Sequence, residues 1–232
     1  MFFLDPTYLM FMIPAFILMA LTSWYVKAAY QKWSRVPAQS RLTGHQAAQR
    51  LISTGALYGV QVQGVAGQMT DHYDPRDKTL YLSQGVANGA SVASVAIAAH
   101  ELGHAMQDAE GYFPLRFRSA LVPVVNIGSN LGWILIMIGL VINWANLAWL
   151  GVLVFAGGAV FALATLPVEF NASARAKQLL VQTGVIQTDM EARGVNTVLN
   201  AAALTYVAGL VTAILQLLYY VMLVGGLGRR RD

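Results

Sequence analysis

Ala96–Tyr112 reads AIAAHELGHAMQDAEGY, and within it His100, Glu101 and His104 form an H-E-x-x-H pattern. On a helix, residues four apart share a face one turn apart, so both imidazoles can reach one ion. Glu101, adjacent to His100, is poorly placed to ligate the same ion and well placed to take a proton from water. The flanking Ala98, Ala99, Gly103 and Ala105 are small or apolar, so the three groups are expected to be buried on a tightly packed helix. A buried carboxylate without compensation is costly, and a metal ion removes that cost. The chain has no cysteine, which rules out thiolate ligands and nucleophiles and leaves His, Asp and Glu as metal ligands. Zinc accepts such ligands, keeps an open tetrahedral position in catalytic sites and acidifies bound water.

A catalytic zinc takes a third protein ligand. The remaining histidines are His45 and His72, and the remaining glutamates are Glu110, Glu169 and Glu191. Glu110 falls off the ligand face. Glu191 lies in a polar stretch that reads as solvated surface. Glu169 opens the first charged segment after a long uncharged region and directly follows Leu166, Pro167 and Val168. The proline suits the start or kink of a helix, which would carry Glu169 in its first turns. Glu169 is therefore the expected third ligand; the competing reading is a helix-start carboxylate favoured by the dipole. His72 reads either as an oxyanion donor or as a turn histidine bonded to Asp71 or Asp74. Arg175 reads as a structural ion pair with Glu101 or an Asp before a transition-state group, and His45 as a surface helix residue.

These residues need elements to hold them. The chain of 232 residues is 56% hydrophobic and only 11% charged, against about 25% charged in a soluble domain, so a membrane protein is expected. Tyr8–Val26 is one apolar run of bilayer length, with Lys27, Lys32 and Arg35 after it; it reads as a retained anchor rather than a cleaved leader. Ser119–Val168 holds no charged residue and divides into two spans, about Val122–Ile142 and Leu147–Leu166, joined by the NWAN turn. A last run covers about Ala202–Leu227, before the basic Arg229–Arg231 tail. The glycine pairs Gly157-Gly158 and Gly225-Gly226 are expected to permit close helix packing. Between the first and second spans, a helix is expected after Thr43 and up to Gly55, strands near Val60–Val65 and Thr79–Ser83, a turn at Asp74-Pro75, and a helix over Val92–Asp108.

The expected fold is a mainly α membrane protein: about four transmembrane helices with a small cytoplasmic α/β insertion carrying the H-E-x-x-H helix. The expected organisation is an anchor over 1–36, a soluble region with the H-E-x-x-H zinc helix over 37–120, a helical hairpin over 121–167, a third-ligand helix and loop over 168–201, and a C-terminal span with basic tail over 202–232. The Lys/Arg bias places the loops after the first and third spans in the cytoplasm of a multi-pass protein of the cell (inner) membrane, although the Arg229–Arg231 tail opposes that orientation. No basic stripe with interleaved aromatics marks a nucleic-acid partner.

Three separated blocks, DHYDPRDKTLYLS, AAHELGHAMQDAEGYFPL and LPVEFNASARA, resemble the bacterial membrane-bound neutral zinc metallopeptidases called YugP-like. A looser similarity joins the chain to HtpX-type and CAAX-type membrane peptidases. The resemblance covers nearly the whole chain. It implies a zinc-dependent membrane endopeptidase with one zinc ion on His100, His104 and Glu169 and Glu101 as the catalytic carboxylate. The family commonly has aspartate where this chain has Asn171. The partners implied are a peptide or protein substrate, membrane-associated or soluble, and the lipid bilayer; a second copy or an adaptor protein is compatible with it. The alternative function is a non-catalytic membrane scaffold with a structural zinc site, which would need a fourth ligand such as His72.

Overall fold

The computed structural model describes residues 5–55 and 57–228, so the Arg229–Arg231 tail lies outside the described residues. The chain is mainly helical, with one small sheet. In order, the elements are α1 (Pro6–Trp33), α2 (Gly44–Thr54), β1 (Gln61–Val65), β2 (His72–Asp74), β3 (Thr79–Ser83), α3 (Gln84–Ala87), α4 (Val92–Ala109), α5 (Phe113–Val141), α6 (Ala145–Phe155), α7 (Gly157–Gln182) and α8 (Asp189–Gly228). Among the described residues, four helices are long and apolar enough to cross a membrane: Pro6–Trp33, Phe113–Val141, Ala145–Gln182 and Asp189–Gly226.

These elements form two compact units. One takes its residues from α1 up to Thr22, from Arg116–Leu166 and from Thr205 onward. Its packing centres on Ile136, Ala148, Val152, Tyr219, Tyr220 and Val224. The α5–α6 hairpin closes on glycines: a Cβ on Gly132 would lie 2.9 Å from the Gly151 carbonyl oxygen, and one on Gly139 would lie 2.5 Å from the Ala148 nitrogen. The glycine pairs singled out from sequence do not serve that purpose. A Cβ on Gly157, Gly225 or Gly226 would meet nothing within 4 Å. Paired glycines are too local a signal; close approach needs small residues spaced along one helix face.

The second unit, Ser23–Leu115 with Pro167–Leu204, holds the chemistry. Its sheet has the order β1-β3-β2, with β1 parallel and β2 antiparallel to β3. In central β3, Thr79, Leu80, Leu82 and Ser83 are buried, with Leu80 and Leu82 fully enclosed in the apolar core, while Tyr81 is partly exposed. Asp74 closes the β2–β3 turn by accepting the Arg76 backbone N–H at 2.9 Å. α2 starts on a capping box in which Thr43 and Gln46 satisfy each other's backbone N–H, and it stops at Gly55. α4 starts on Ser91, whose hydroxyl accepts from the Ser94 N–H at 3.1 Å. Behind α4 lies one apolar cluster that includes Leu51, Leu80, Leu82, Val95, Leu102 and Leu180.

Two expectations need correction. Pro167 does not open a new helix; it sits inside α7, so Glu169 lies mid-helix and the dipole reading of that carboxylate falls away. The missing proline N–H costs one ladder bond, and a long apolar helix can absorb that loss. Glu191 is not solvated. It is fully buried, accepting the backbone N–H of Gln187, Thr188 and Gln39 at 2.9–3.0 Å together with the Thr188 hydroxyl. Its polar neighbours suggested surface, but Glu191 forms a capping box with Thr188 at the start of α8, and its carboxylate ties Gln39, in the segment after α1, to that helix.

Candidate metal centre

α4 presents His100 and His104 side by side, their rings edge-to-face with centroids 4.9 Å apart. α7 brings Glu169 against them. Its Oε2 lies 3.3 Å from His100 Nε2 and 3.5 Å from His104 Nε2. Among the described residues these three form a group whose ligand atoms all lie within 4.8 Å of one another. Glu169 is buried at 2% exposure and the two imidazoles are partly buried.

This meeting depends on a close helix approach. A Cβ on Gly103 would press into the Ala172 carbonyl oxygen and lie 3.0 Å from the carbonyl carbon and Cα of that residue. With no side chain at 103, α7 lies against the backbone of α4, and Glu169, one turn before Ala172, reaches the histidine face.

The outer nitrogens of both imidazoles are held. His104 Nδ1 lies 3.0 Å from Gln107 Oε1, and His100 Nδ1 lies 3.2 Å from the Ser173 hydroxyl. Gln107 is fully buried; its amide nitrogen donates to the Val168 carbonyl at 2.8 Å and to Asn171 Oδ1 at 3.0 Å. Asn171 Oδ1 also accepts from Arg175 Nε at 2.7 Å. Arg175 in turn grips both carboxylate oxygens of Glu110, at 2.6 and 2.7 Å. Arg175 is thus an ion-pair residue, as expected, but its partner is Glu110 rather than Glu101 or an Asp. Sequence reasoning missed Gln107 and Ser173. A glutamine one turn beyond His104 on an apolar helix was the available signal for the first.

Glu101 follows His100 on α4 and is half-buried. Burial pushes its carboxyl pKa up, while the His100 and His104 imidazoles act in the opposite sense. A raised carboxylate sits nearer the range in which it can both accept and return a proton. His72 stands apart from the group. It is exposed, its Nδ1 bonds the Thr70 carbonyl at 2.8 Å, and its ring stacks on Tyr81. His45 is half-buried on α2.

The donor set fits zinc. Two neutral imidazoles and one carboxylate, with no thiolate, match the ligand set of hydrolytic zinc sites. Ligand bonds of about 2.0–2.1 Å in a tetrahedron give edges of about 3.3 Å, and the His100–Glu169 and His104–Glu169 spacings are 3.3 and 3.5 Å.

Residues 8–225 match the family model described as "Putative neutral zinc metallopeptidase". The chain is 44% identical over 198 residues to the "Putative membrane protease YugP" of Bacillus subtilis (strain 168), covering 85% of this chain and 88% of that one. No solved structure matches.

Proposed function

This chain belongs to the neutral zinc metallopeptidase family, and on that premise we propose that it is a membrane endopeptidase that hydrolyses peptide bonds with Glu101 as general base. The observation that carries the proposal is the convergence of His100, His104 and Glu169 on one point, with Glu101 next to His100 on the same helix. His100, His104 and Glu169 would hold one zinc ion. When bound, zinc supplies Lewis-acid polarisation of the scissile carbonyl and acidification of water. Glu101 takes the proton from the attacking water and hands it to the nitrogen of the leaving amine. Glu169 neutralises part of the metal charge in a buried setting, and the close contact at Gly103 keeps it there.

A structural zinc closes all four positions with protein ligands. His72, the one histidine that could have served as the fourth, is exposed and already bonded to Thr70, which favours the enzyme over a scaffold. The peptidase region over 37–120 and the helix from 168 would face the cytoplasm, since Lys27, Lys32, Arg35, Arg175, Lys177 and Arg193 flank the spans on that side.

The test pairs zinc content with cleavage of an unfolded reporter protein in detergent, for wild type and Glu101→Gln. The reading expects one zinc in both, cleavage by wild type alone, and loss of cleavage on chelation that zinc restores. Equal cleavage by both proteins would remove Glu101 as the base.

A further inference from the structure

The hydrogen bonds beyond the ligands have a fixed direction, and it can be followed from one end. Arginine only donates and does not lose its charge. Arg175 is anchored by two bonds to Glu110, so the Asn171 atom at 2.7 Å from Arg175 Nε must be the amide oxygen. That same oxygen receives Gln107 Nε2, whose second hydrogen goes to the Val168 carbonyl. Both amide hydrogens of Gln107 are then spent, and only Oε1 remains to face His104 Nδ1 at 3.0 Å. An amide oxygen accepts, so Nδ1 must donate. A flipped Gln107 amide would set oxygen against the Val168 and Asn171 oxygens, two repulsive contacts in a fully buried place.

We propose that Gln107 is a positioning residue that locks His104 in the form protonated at Nδ1, and that Asn171 and the Arg175–Glu110 pair hold the Gln107 amide in the required direction. The inference rests on the metal-centre reading. A neutral histidine ligates through the ring nitrogen that lacks hydrogen, and the bond made by the other nitrogen sets which one that is. Nε2, which lies 3.5 Å from Glu169 Oε2, is then the nitrogen that a metal would take; with none bound, that carboxylate can accept a hydrogen from it as well. His100 has no such device, because the Ser173 hydroxyl can donate or accept. The two ligands therefore differ: the tautomer of His104 is imposed from the protein surface inward, and that of His100 is free to adjust. An aspartate at 171 would serve the same role, since one carboxylate oxygen could accept both bonds.

The experiment uses the full chain in detergent micelles, labelled with nitrogen-15 at its four histidines, metal-free and at mildly alkaline pH; tautomers are read in a Glu169→Ala background, where no carboxylate faces Nε2, and zinc affinity is read with Glu169 in place. Two-bond proton–nitrogen correlations identify the tautomer of each ring, and competition with a chelator gives the zinc affinity. With Gln107 intact and the Glu169 carboxylate removed, His104 is expected as a single Nδ1-protonated form and His100 as a mixture. Gln107→Met should convert His104 to a mixture and weaken zinc binding about 10- to 100-fold, the range typical for lost outer partners of a ligand. Arg175→Met, which does not touch His104, should shift the tautomer balance the same way with a smaller loss of zinc. Asn171→Asp should resemble wild type in both readouts. A folded Gln107→Met protein that keeps a single Nδ1-protonated His104 and zinc affinity within twofold overturns the proposal. Should Gln107→Met not fold, an unchanged His104 signal and unchanged zinc affinity in Arg175→Met overturn it equally. Should the expected His104 tautomer be found while wild type binds no stoichiometric zinc, the metal-centre reading is overturned instead.

Discussion

Gly103→Ala adds one methyl group, and its sign is the informative quantity. Glycine to alanine in an ordinary helix interior stabilises by about 1 kcal/mol. At Gly103 the new Cβ would stand 3.0 Å from two backbone carbons of Ala172 and against its carbonyl oxygen, whereas carbon atoms prefer about 3.5–4.0 Å. The neighbour is helix backbone and has no flexible end to give way, so α7 must withdraw by about 0.5–1 Å. Overpacking of this kind costs about 1–3 kcal/mol, more than the propensity gain. Glu169 is three residues from Ala172 on the same helix and must retreat with it. Metal–ligand distances tolerate only about 0.2 Å, so zinc affinity should fall by about one to two orders of magnitude. Thermal unfolding of the metal-free protein and chelator competition for zinc measure the two effects. Gly209→Ala, where a Cβ meets nothing within 4 Å, serves as the control and should melt at or above the wild-type temperature. If Gly103→Ala melts no lower than wild type and binds zinc within twofold, the close α4–α7 contact does not place the third ligand, and the argument from helix approach fails.

Glu191→Ala removes the acceptor of three backbone N–H groups in a buried place, so denaturant unfolding should show a loss of roughly 2–4 kcal/mol, with zinc affinity of the folded protein unchanged. Glu101→Gln should raise the melting temperature of the metal-free protein at neutral pH by a few degrees. Burial raises the folded pKa of Glu101, so the wild type is relatively more stable below the unfolded value, near 4.5, and loses that stability as pH rises through the folded pKa. The gap between the two proteins should accordingly close in acid; a gap that widens in acid would contradict the assigned burial effect. Glu169→Gln preserves the side-chain shape but removes the ligand charge, and should cost at least tenfold in zinc affinity by the same chelator assay.

Much of this centre was legible in the residues. H-E-x-x-H spacing places two imidazoles on one face of any helix, because the helical period is set by backbone geometry and not by context. The helix itself was legible over Val92–Asp108 through its small apolar residues, and α2 through Thr43 and Gly55; the Ser91 cap was not read. Four apolar segments were visible because length and composition alone decide whether a helix can cross a bilayer. Where the reading failed, it had used local punctuation for a non-local question. Pro167 was read as a boundary, yet α7 runs through it. The glycine pairs were read as packing sites, while the contacts fall at single glycines on facing helices. Glu191 was placed at the surface because its neighbours in sequence are polar, although its partners, Gln39 among them, lie up to 152 positions away.

The identities and spacing of His100, Glu101 and His104, the lack of thiolate ligands, and the apolar segments were determined by the sequence alone. All of these follow from residue type and helical period. That Glu169 meets the two histidines was decided only by the tertiary structure, since 65 positions separate it from His104 and the meeting depends on how closely two helix backbones approach at Gly103. The direction of the chain from Glu110 through Arg175, Asn171 and Gln107 to His104 was likewise invisible in one dimension. A hydrogen bond has a donor and an acceptor only once both partners are in place, and here they come from α4 with its C-cap Glu110 and from α7.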